Sequence, residues 1–219
     1  MLPQPIRLIF LAVPILGLTS VSIRTDQVCT QPPDLLVQQR EMAAEVNLAR
    51  TNPRAYAEIV EQYFARLGDD RVNRNGDTSI LMNEGRPAVD EAVAFLRSAE
   101  ALAPLTLNSC LSQSAQDHVA EMGPSGGTSH LSPDGRDPSG RASERVGHRV
   151  YCGENMSFGR DSPREHVIAL LVDDGVESRG HRTNIFDRAY KSIGVGVGSH
   201  ARFRNMTVHV MCTDELPAD

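Results

Sequence analysis

Apolar residues recur at the spacing of an α-helix through the first half of the chain, and this pattern predicts amphipathic helices. A helix over about residues 35–49 is indicated by apolar residues that fall near one stripe, Leu36, Met42, Val46 and Ala49. Pro53 begins the next helix, because the residue before a proline is pushed out of helical geometry and proline suits a first turn. The pattern then predicts helices over about residues 53–67, 87–101 and 109–122.

The second half of the chain predicts a small sheet and one further capped helix. A cap at Ser162, followed by a proline and then by Glu165, starts a helix that should run to about Asp174. Residues 68–87 and 123–149 are rich in polar and turn-forming residues, so both are predicted to be loops. Strands are predicted at residues 150–156, 195–197 and 207–211.

The first residues of the chain have the pattern of a signal peptide. Arg7 supplies a positive charge, an apolar segment extends over residues 8–18, and small residues near Ser22 suit cleavage. The alternative is an uncleaved anchor, but the apolar run is short for a hydrocarbon layer of about 30 Å. We therefore expect a signal peptide at residues 1–22, an irregular lead-in at residues 23–39, and export of a soluble protein without a stable membrane span.

The cysteines of the chain fit an exported protein. All four lie beyond the apolar segment, at Cys29, Cys110, Cys152 and Cys212. An even number indicates two disulfides, for which three pairings are possible. Cys152 and Cys212 lie in strand-like runs that could be neighbours, which favours the pairs Cys29–Cys110 and Cys152–Cys212. The alternative, free thiols in a reducing compartment, is disfavoured by the signal peptide.

Composition narrows the classes of partner. The net charge is −6 at pH 7, and the sequence shows no basic patch of the kind that nucleic-acid binders carry. With four tyrosines, six phenylalanines and no tryptophan, the chain offers few rings on which bases or sugars could stack. We expect no nucleic-acid partner. Since no long coiled segment indicates an oligomer, a monomer is the default expectation.

Four short signals stand in a fixed order in the second half of the chain. They are Thr128-Ser129-His130, Gly153-Glu154-Asn155, a run from Ser178 to Ile185 that contains Gly180-His181-Arg182, and a glycine-alternating run from Ile193 to Gly198. The ordered set resembles the CAP superfamily of cysteine-rich secretory proteins, antigens 5 and pathogenesis-related proteins, over about residues 40–212.

This resemblance implies an α+β fold, a three-layer α/β/α sandwich with a small antiparallel sheet between helices. It implies one SCP-like extracellular domain over residues 40–215, with a helical and loop insertion at about residues 53–103. It also implies a polar cavity formed by two histidines and two acids. The histidines of that cavity correspond to His130 and His181, and the first acid to Glu154.

The motifs leave more than one candidate for the second acid of the implied cavity. Leu171-Val172-Asp173-Asp174 is in register with the Trp-Val-x-Glu run of plant and animal members, which implies Asp174. Asp173 is the adjacent alternative, and Glu177 is a more distant one. His118 lies in a run similar to the family's His-Ala-x-x-Met, as a packed helix residue or as part of the cavity rim.

Two imidazoles with carboxylates suit a divalent cation such as Zn²⁺, and members of the family have been described as binding such ions. A metal-free cluster, in which each acid orients a histidine, is the alternative. The expected function is that of a secreted protein, periplasmic in a Gram-negative host, that binds an extracellular ligand such as lipid, peptide or cell-wall material.

Two other functions stay open from the sequence, a metal-assisted extracellular hydrolase and a structural module without an active site. An enzyme is the less favoured of these interpretations. The chain has no Gly-x-Ser-x-Gly elbow and no His-Glu-x-x-His run. Ser129 and His130 are adjacent, so in an extended segment their side chains would point to opposite faces.

Overall fold

The structure is a computed structural model that describes residues 29–66, 71–74 and 78–218. The predicted signal peptide and the start of the lead-in lie outside the described residues. The helices are α1 (Pro33–Thr51), α2 (Pro53–Ala65), α3 (Arg86–Ser98), α4 (Ser109–Ser125), α5 (Pro138–Val146), α6 (Pro163–Val172) and α7 (Gly180–Ile185). Within these ranges no helix combines the length and apolar character needed to cross a membrane.

Four strands form the central sheet, in the order β3-β5-β6-β4. They are β3 (Thr106–Leu107), β4 (Cys152–Phe158), β5 (Ser192–His200) and β6 (Arg204–Cys212). Strand β6 pairs antiparallel with both β5 and β4, whereas the short β3 runs parallel to β5. The α+β class is thus confirmed, with the difference that the sheet is mixed. Strands β1 (Arg71–Arg74) and β2 (Thr78–Leu81) form a separate antiparallel pair.

Helices cover both faces of this sheet and produce three layers. One apolar core joins α1, α2, α3 and α6 to the sheet and includes Val46, Leu96 and Leu171. The other core joins α4 and α5 to the opposite face and includes Leu111 and Ala142. Burial of these side chains, at about 25 cal/mol per Å² of apolar surface, is the main term that holds the layers together.

The glycine-alternating run of β5 allows α4 to lie close to the sheet. A Cβ atom added at Gly194 would collide with the backbone of Leu111. One added at Gly196 would lie 2.5 Å from the carbonyl oxygen of Ala115. Side chains at these positions would force the helix away from the strand, so glycine is required by packing.

The loop predicted over residues 123–149 is wrong in part, because it contains α5. Asp137 caps this helix by accepting a hydrogen bond from the Gly140 N–H at 2.7 Å. Gly147 ends the helix in the left-handed conformation, with φ 79°. Asp137, Pro138 and Gly147 are residue types that commonly start and end a helix. The polar residues between them nevertheless led to the prediction of a loop. The region 68–87, also predicted as a loop, contains β1, β2 and the start of α3.

Two disulfides join the pairs that the sequence favoured. Cys29 is bonded to Cys110, and Cys152 to Cys212. Cys152 and Cys212 are also direct partners in the β4–β6 register. The second disulfide therefore closes one end of the strand pair that carries Glu154.

Candidate functional site

The first histidine–acid pair joins the segment after α4 to strand β4. His130 Nδ1 lies 2.8 Å from Glu154 Oε1. The Glu154 side chain is 1% exposed, whereas that of His130 is 47% exposed. A buried carboxylate needs donors to offset its desolvation, and this histidine supplies one of them.

Arg141, on α5, is the second donor to Glu154. Its Nη2 lies 2.5 Å from Glu154 Oε2. Its Nη1 donates to the carbonyl oxygens of His130 and Arg136 at 3.0 and 3.1 Å. The buried guanidinium therefore fixes both the carboxylate and the backbone that carries His130. Sequence reasoning missed Arg141 because it missed the helix.

His118 lies behind this pair and is fully buried. Its Nε2 is 2.9 Å from the Ser129 carbonyl oxygen and its Nδ1 is 3.1 Å from Glu121 Oε2. Each ring nitrogen of His118 therefore faces an oxygen that can accept a hydrogen bond. The same Nε2 lies 3.7 Å from Glu154 Oε1, so His118 borders the carboxylate from inside the protein.

Glu121 completes this cluster and is another residue that sequence reasoning missed. Burial opposes its ionisation, yet hydrogen bonds from Ser132 and His118 lower the pKa of its carboxyl. The Ser132 hydroxyl donates to Glu121 Oε2 at 2.6 Å and accepts from Arg141 at 3.2 Å. The cluster thus links two acids, an arginine and a histidine beneath the segment of His130.

The second histidine–acid pair consists of His181 and Asp173. His181 Nδ1 lies 2.6 Å from Asp173 Oδ1, and the His181 backbone N–H donates to Asp173 Oδ2 at 2.9 Å. The Asp173 side chain is 2% exposed and that of His181 is 25% exposed. Asp173 is the C-cap of α6 with φ 55°, and this left-handed turn directs its carboxylate toward α7.

Asp174, which the resemblance implied as the second acid, has a different set of partners. Its Oδ2 accepts from the Asn83 N–H at 2.6 Å, and its Oδ1 accepts from the Glu84 N–H at 2.8 Å. The side chain therefore binds the segment before α3 and not His181. The geometry favours the adjacent alternative, Asp173, because the left-handed residue at the helix end separates the two side chains.

An arginine clamp holds α7 in place beside α3. Arg179 binds Glu84 and Glu91 and donates to the Asp173 carbonyl oxygen at 2.9 Å. Hydrogen bonding to Arg179 lowers the pKa of Glu84 to about 2. Arg182 donates to the Leu171 carbonyl oxygen at 2.6 Å. The clamp fixes the start of α7, where His181 lies.

Asn155 connects the two motifs across strand β4. Its Nδ2 donates to the His181 carbonyl oxygen at 2.9 Å, and its Oδ1 accepts from Asn184 at 2.9 Å. Because side chains alternate along a strand, Glu154 and Asn155 point to opposite faces of the sheet. In the Gly-Glu-Asn run, Glu154 therefore contacts His130, and the next residue, Asn155, contacts the backbone of His181.

The two pairs share one chemical arrangement. In each, a carboxylate accepts from Nδ1, so in a neutral ring the lone pair is on Nε2. Neither Nε2 has a hydrogen bond within the part of the chain that the structure describes. Among the described residues no group of three or more histidine, cysteine or acidic side chains converges on a possible metal position. Each acid orients its histidine ring through the hydrogen bond to Nδ1.

A groove of about 590 Å³ reaches the second pair and is lined by Asp173, Asp174 and His181. His130 and Glu154 are not among its lining residues. The structure thus assembles the sequence-derived residues as two pairs, of which one opens into the groove.

A sequence model of the cysteine-rich secretory protein family, CAP, matches residues 81–213, more than half of the chain. An extracellular protein with an SCP domain from Bacillus anthracis str. Ames is similar in structure, with 21% identity and a TM-score of 0.42; the match covers 59% of this chain and 39% of that one. An outer surface protein from Borrelia burgdorferi has 15% identity and a TM-score of 0.44, over 66% of this chain and 98% of that one. No curated protein matches the chain significantly.

Proposed function

Because the chain belongs to the cysteine-rich secretory protein family, CAP, we propose that it is an exported binding protein whose two buttressed histidines hold a divalent cation or a small polar ligand. Export is supported by two disulfides, which persist in oxidising compartments. The ligand class is supported by the chemistry of the histidine pairs.

The observation that carries the proposal is the Nδ1–carboxylate bond in both pairs. Metal-binding histidines commonly donate their second N–H to a carboxylate, which fixes the tautomer and orients the ring. His130 and His181 have this arrangement, at 2.8 and 2.6 Å from their acids. With two imidazoles as protein ligands, a bound Zn²⁺ would keep open positions for water or for a ligand group.

Ser129 lies next to His130 and contacts the backbone of its own turn. Its hydroxyl oxygen accepts a hydrogen bond from the Leu131 N–H at 2.9 Å, so the serine braces the turn that carries His130.

Calorimetric titration of Zn²⁺ into the oxidised protein tests the proposal. We expect binding in the unaltered chain and its loss in His130→Ala and in His181→Ala. His148→Ala is the matched control, because His148 also faces an acid, Asp214 at 3.4 Å, but lies outside the site. Absence of binding to the unaltered chain, or equal loss in the His148 variant, would refute a metal site at these pairs.

A further inference from the structure

The groove beside His181 has a second chemical character that the histidine pairs do not explain. Its walls include the apolar side chains of Met156, Phe158, Leu170, Val176 and Phe203. Arg160, Arg202 and Arg204 line the same groove. Its volume of about 590 Å³ falls within the range of small-molecule pockets.

The turn between β5 and β6 presents an arginine and a ring together. Arg202 lies over the Phe203 ring, with its guanidinium carbon 5.1 Å from the ring centroid. Phe203 also contacts Phe158, with 5.4 Å between centroids. An arginine against an aromatic face is partly shielded from water, which strengthens its interaction with an anion.

A buried histidine makes this turn rigid. His200 Nδ1 accepts from the backbone N–H groups of Arg202 and Phe203 at 3.3 and 3.1 Å. Its Nε2 donates to the Gly127 carbonyl oxygen at 3.0 Å. The ring is thereby held as the Nε2–H tautomer, and it fixes the backbone that carries both groove residues.

Asn205 holds the backbone of Arg160, another arginine of the groove, against this turn. Its Oδ1 accepts from the Arg160 N–H at 3.1 Å, and its Nδ2 donates to the Arg160 carbonyl oxygen at 2.8 Å. Arg204 has φ 70°, an uncommon backbone conformation for a residue other than glycine. The protein therefore holds these arginines together in a strained but well-braced segment.

The negative charges of the groove are occupied by other partners. Asp173 binds His181, and Asp174 binds the backbone amides before α3. Arg204 pairs with Asp161 at 2.8 Å, but both side chains are at least half exposed, so water and an incoming anion compete for this contact. In a chain of net charge −6, this local excess of arginine is complementary to an anion.

We propose that the groove binds a small organic carboxylate with an apolar body. The carboxylate would pair with Arg202 and Arg204, and the body would lie along Phe158 and Phe203. The inference goes beyond the proposed metal site and does not depend on it, because neither arginine belongs to a histidine–acid pair. Aromatic and aliphatic acids share this chemistry, and the test separates them.

Calorimetry on the oxidised protein provides the test, with 4-phenylbutyrate and octanoate as probes. The neutral controls are 4-phenyl-1-butanol and 1-octanol, which keep the apolar body and lack the charge. We expect the acids to bind roughly tenfold or more tightly than the alcohols, in line with a charge-assisted hydrogen bond. Tighter binding of phenylbutyrate would identify aromatic acids as the preferred class of ligand, and tighter binding of octanoate would identify aliphatic acids.

Two variants locate the site. Arg202→Gln should weaken binding of the acids roughly tenfold. Arg149→Gln is the control, because Arg149 lies 4.9 Å over the Tyr151 ring in the same type of contact but outside the groove. Equal binding of acids and alcohols, absence of binding by either acid, or an equal loss in the Arg149 variant would overturn the proposal. The comparison of acid with alcohol in the unaltered protein holds even if a variant fails to fold.

Discussion

Asp173 holds His181 by two hydrogen bonds, one to the ring at 2.6 Å and one to the backbone N–H at 2.9 Å. The same residue ends α6, and the residue it holds lies in the first turn of α7. The orientation of the imidazole is therefore set by the junction of two helices. A substitution of Asp173 should therefore alter the orientation of the His181 ring without removing a direct contact to a ligand.

Asp173→Asn tests this relationship. The amide keeps the shape of the side chain, but its NH₂ group meets an N–H donor of His181 where a carboxylate oxygen accepted. Loss of such a supporting acid typically lowers metal affinity by about 10- to 100-fold. Zn²⁺ calorimetry should show this loss for Asp173→Asn and little change for Asp174→Asn. Equal effects of the two variants would contradict the assignment of Asp173.

Arg141→Met should lower the free energy of unfolding by about 3 kcal/mol, because it leaves Glu154 buried without its cationic partner. Denaturant titration measures the loss. Arg136→Met provides the comparison: its contact with Asp134 at 2.7 Å is exposed, so a much smaller loss is expected. A double variant, Arg141→Met with Glu154→Gln, should recover part of the stability. Similar small losses at both arginines would count against a buried charge network.

His209 should make the protein sensitive to mild acid. Burial, with a smaller effect of His181, lowers its pKa from 6.5 to about 3, and neither ring nitrogen has a hydrogen-bond partner among the described residues. As the pH falls below 6.5, His209 becomes protonated in the unfolded chain but stays neutral in the folded protein. The free energy of unfolding therefore declines until about pH 3. The slope is at most about 1.4 kcal/mol per pH unit for one group.

Denaturant titrations between pH 7 and pH 4 check this sign. His209→Leu should show a shallower decline than the unaltered protein, since leucine is apolar and similar in volume. His148→Leu, at an exposed site, should retain the original slope. If His209→Leu declines as steeply as the unaltered chain, another group causes the acid sensitivity.

Gly194→Ala should destabilise the protein by about 3 kcal/mol or more, because the added methyl group overlaps the backbone of Leu111. Gly180→Ala is the matched control, since its Cβ would lie 3.4 Å from Ser178 Oγ, an ordinary contact. Thermal unfolding of both variants makes the comparison. A tolerated alanine at Gly194 would show that α4 can move away from the sheet at little cost.

Much of this fold could be predicted from the sequence, because local signals and tertiary structure agree. Pro53 and Ser162 mark helix starts in the sequence, and α2 and α6 begin directly after Asn52 and Ser162. The order of the four motifs identified the family, and the pairs at His130 and His181 are present. These features depend on short stretches of chain, which a sequence shows directly.

The remaining features depend on contacts that no local pattern encodes. Asp173 and Asp174 are adjacent, and only the left-handed turn at the end of α6 decides which of them meets His181. Arg141 lies on a short and mostly polar helix, in which it is buried together with Ala142. Its role follows from the burial of Glu154, a consequence of how α5 covers strand β4.

Among the residues that the structure describes, strand β4 pairs with β6 alone, and the bond between Cys152 and Cys212 fastens these two strands at one end. Glu154 and Asn155 follow this bond within three residues, so both histidines depend on a strand that is covalently anchored on one side only. In a reducing cytosol the strand would lose this anchor. We therefore expect the positions of Glu154 and Asn155 to be fixed fully only after the two thiols are oxidised.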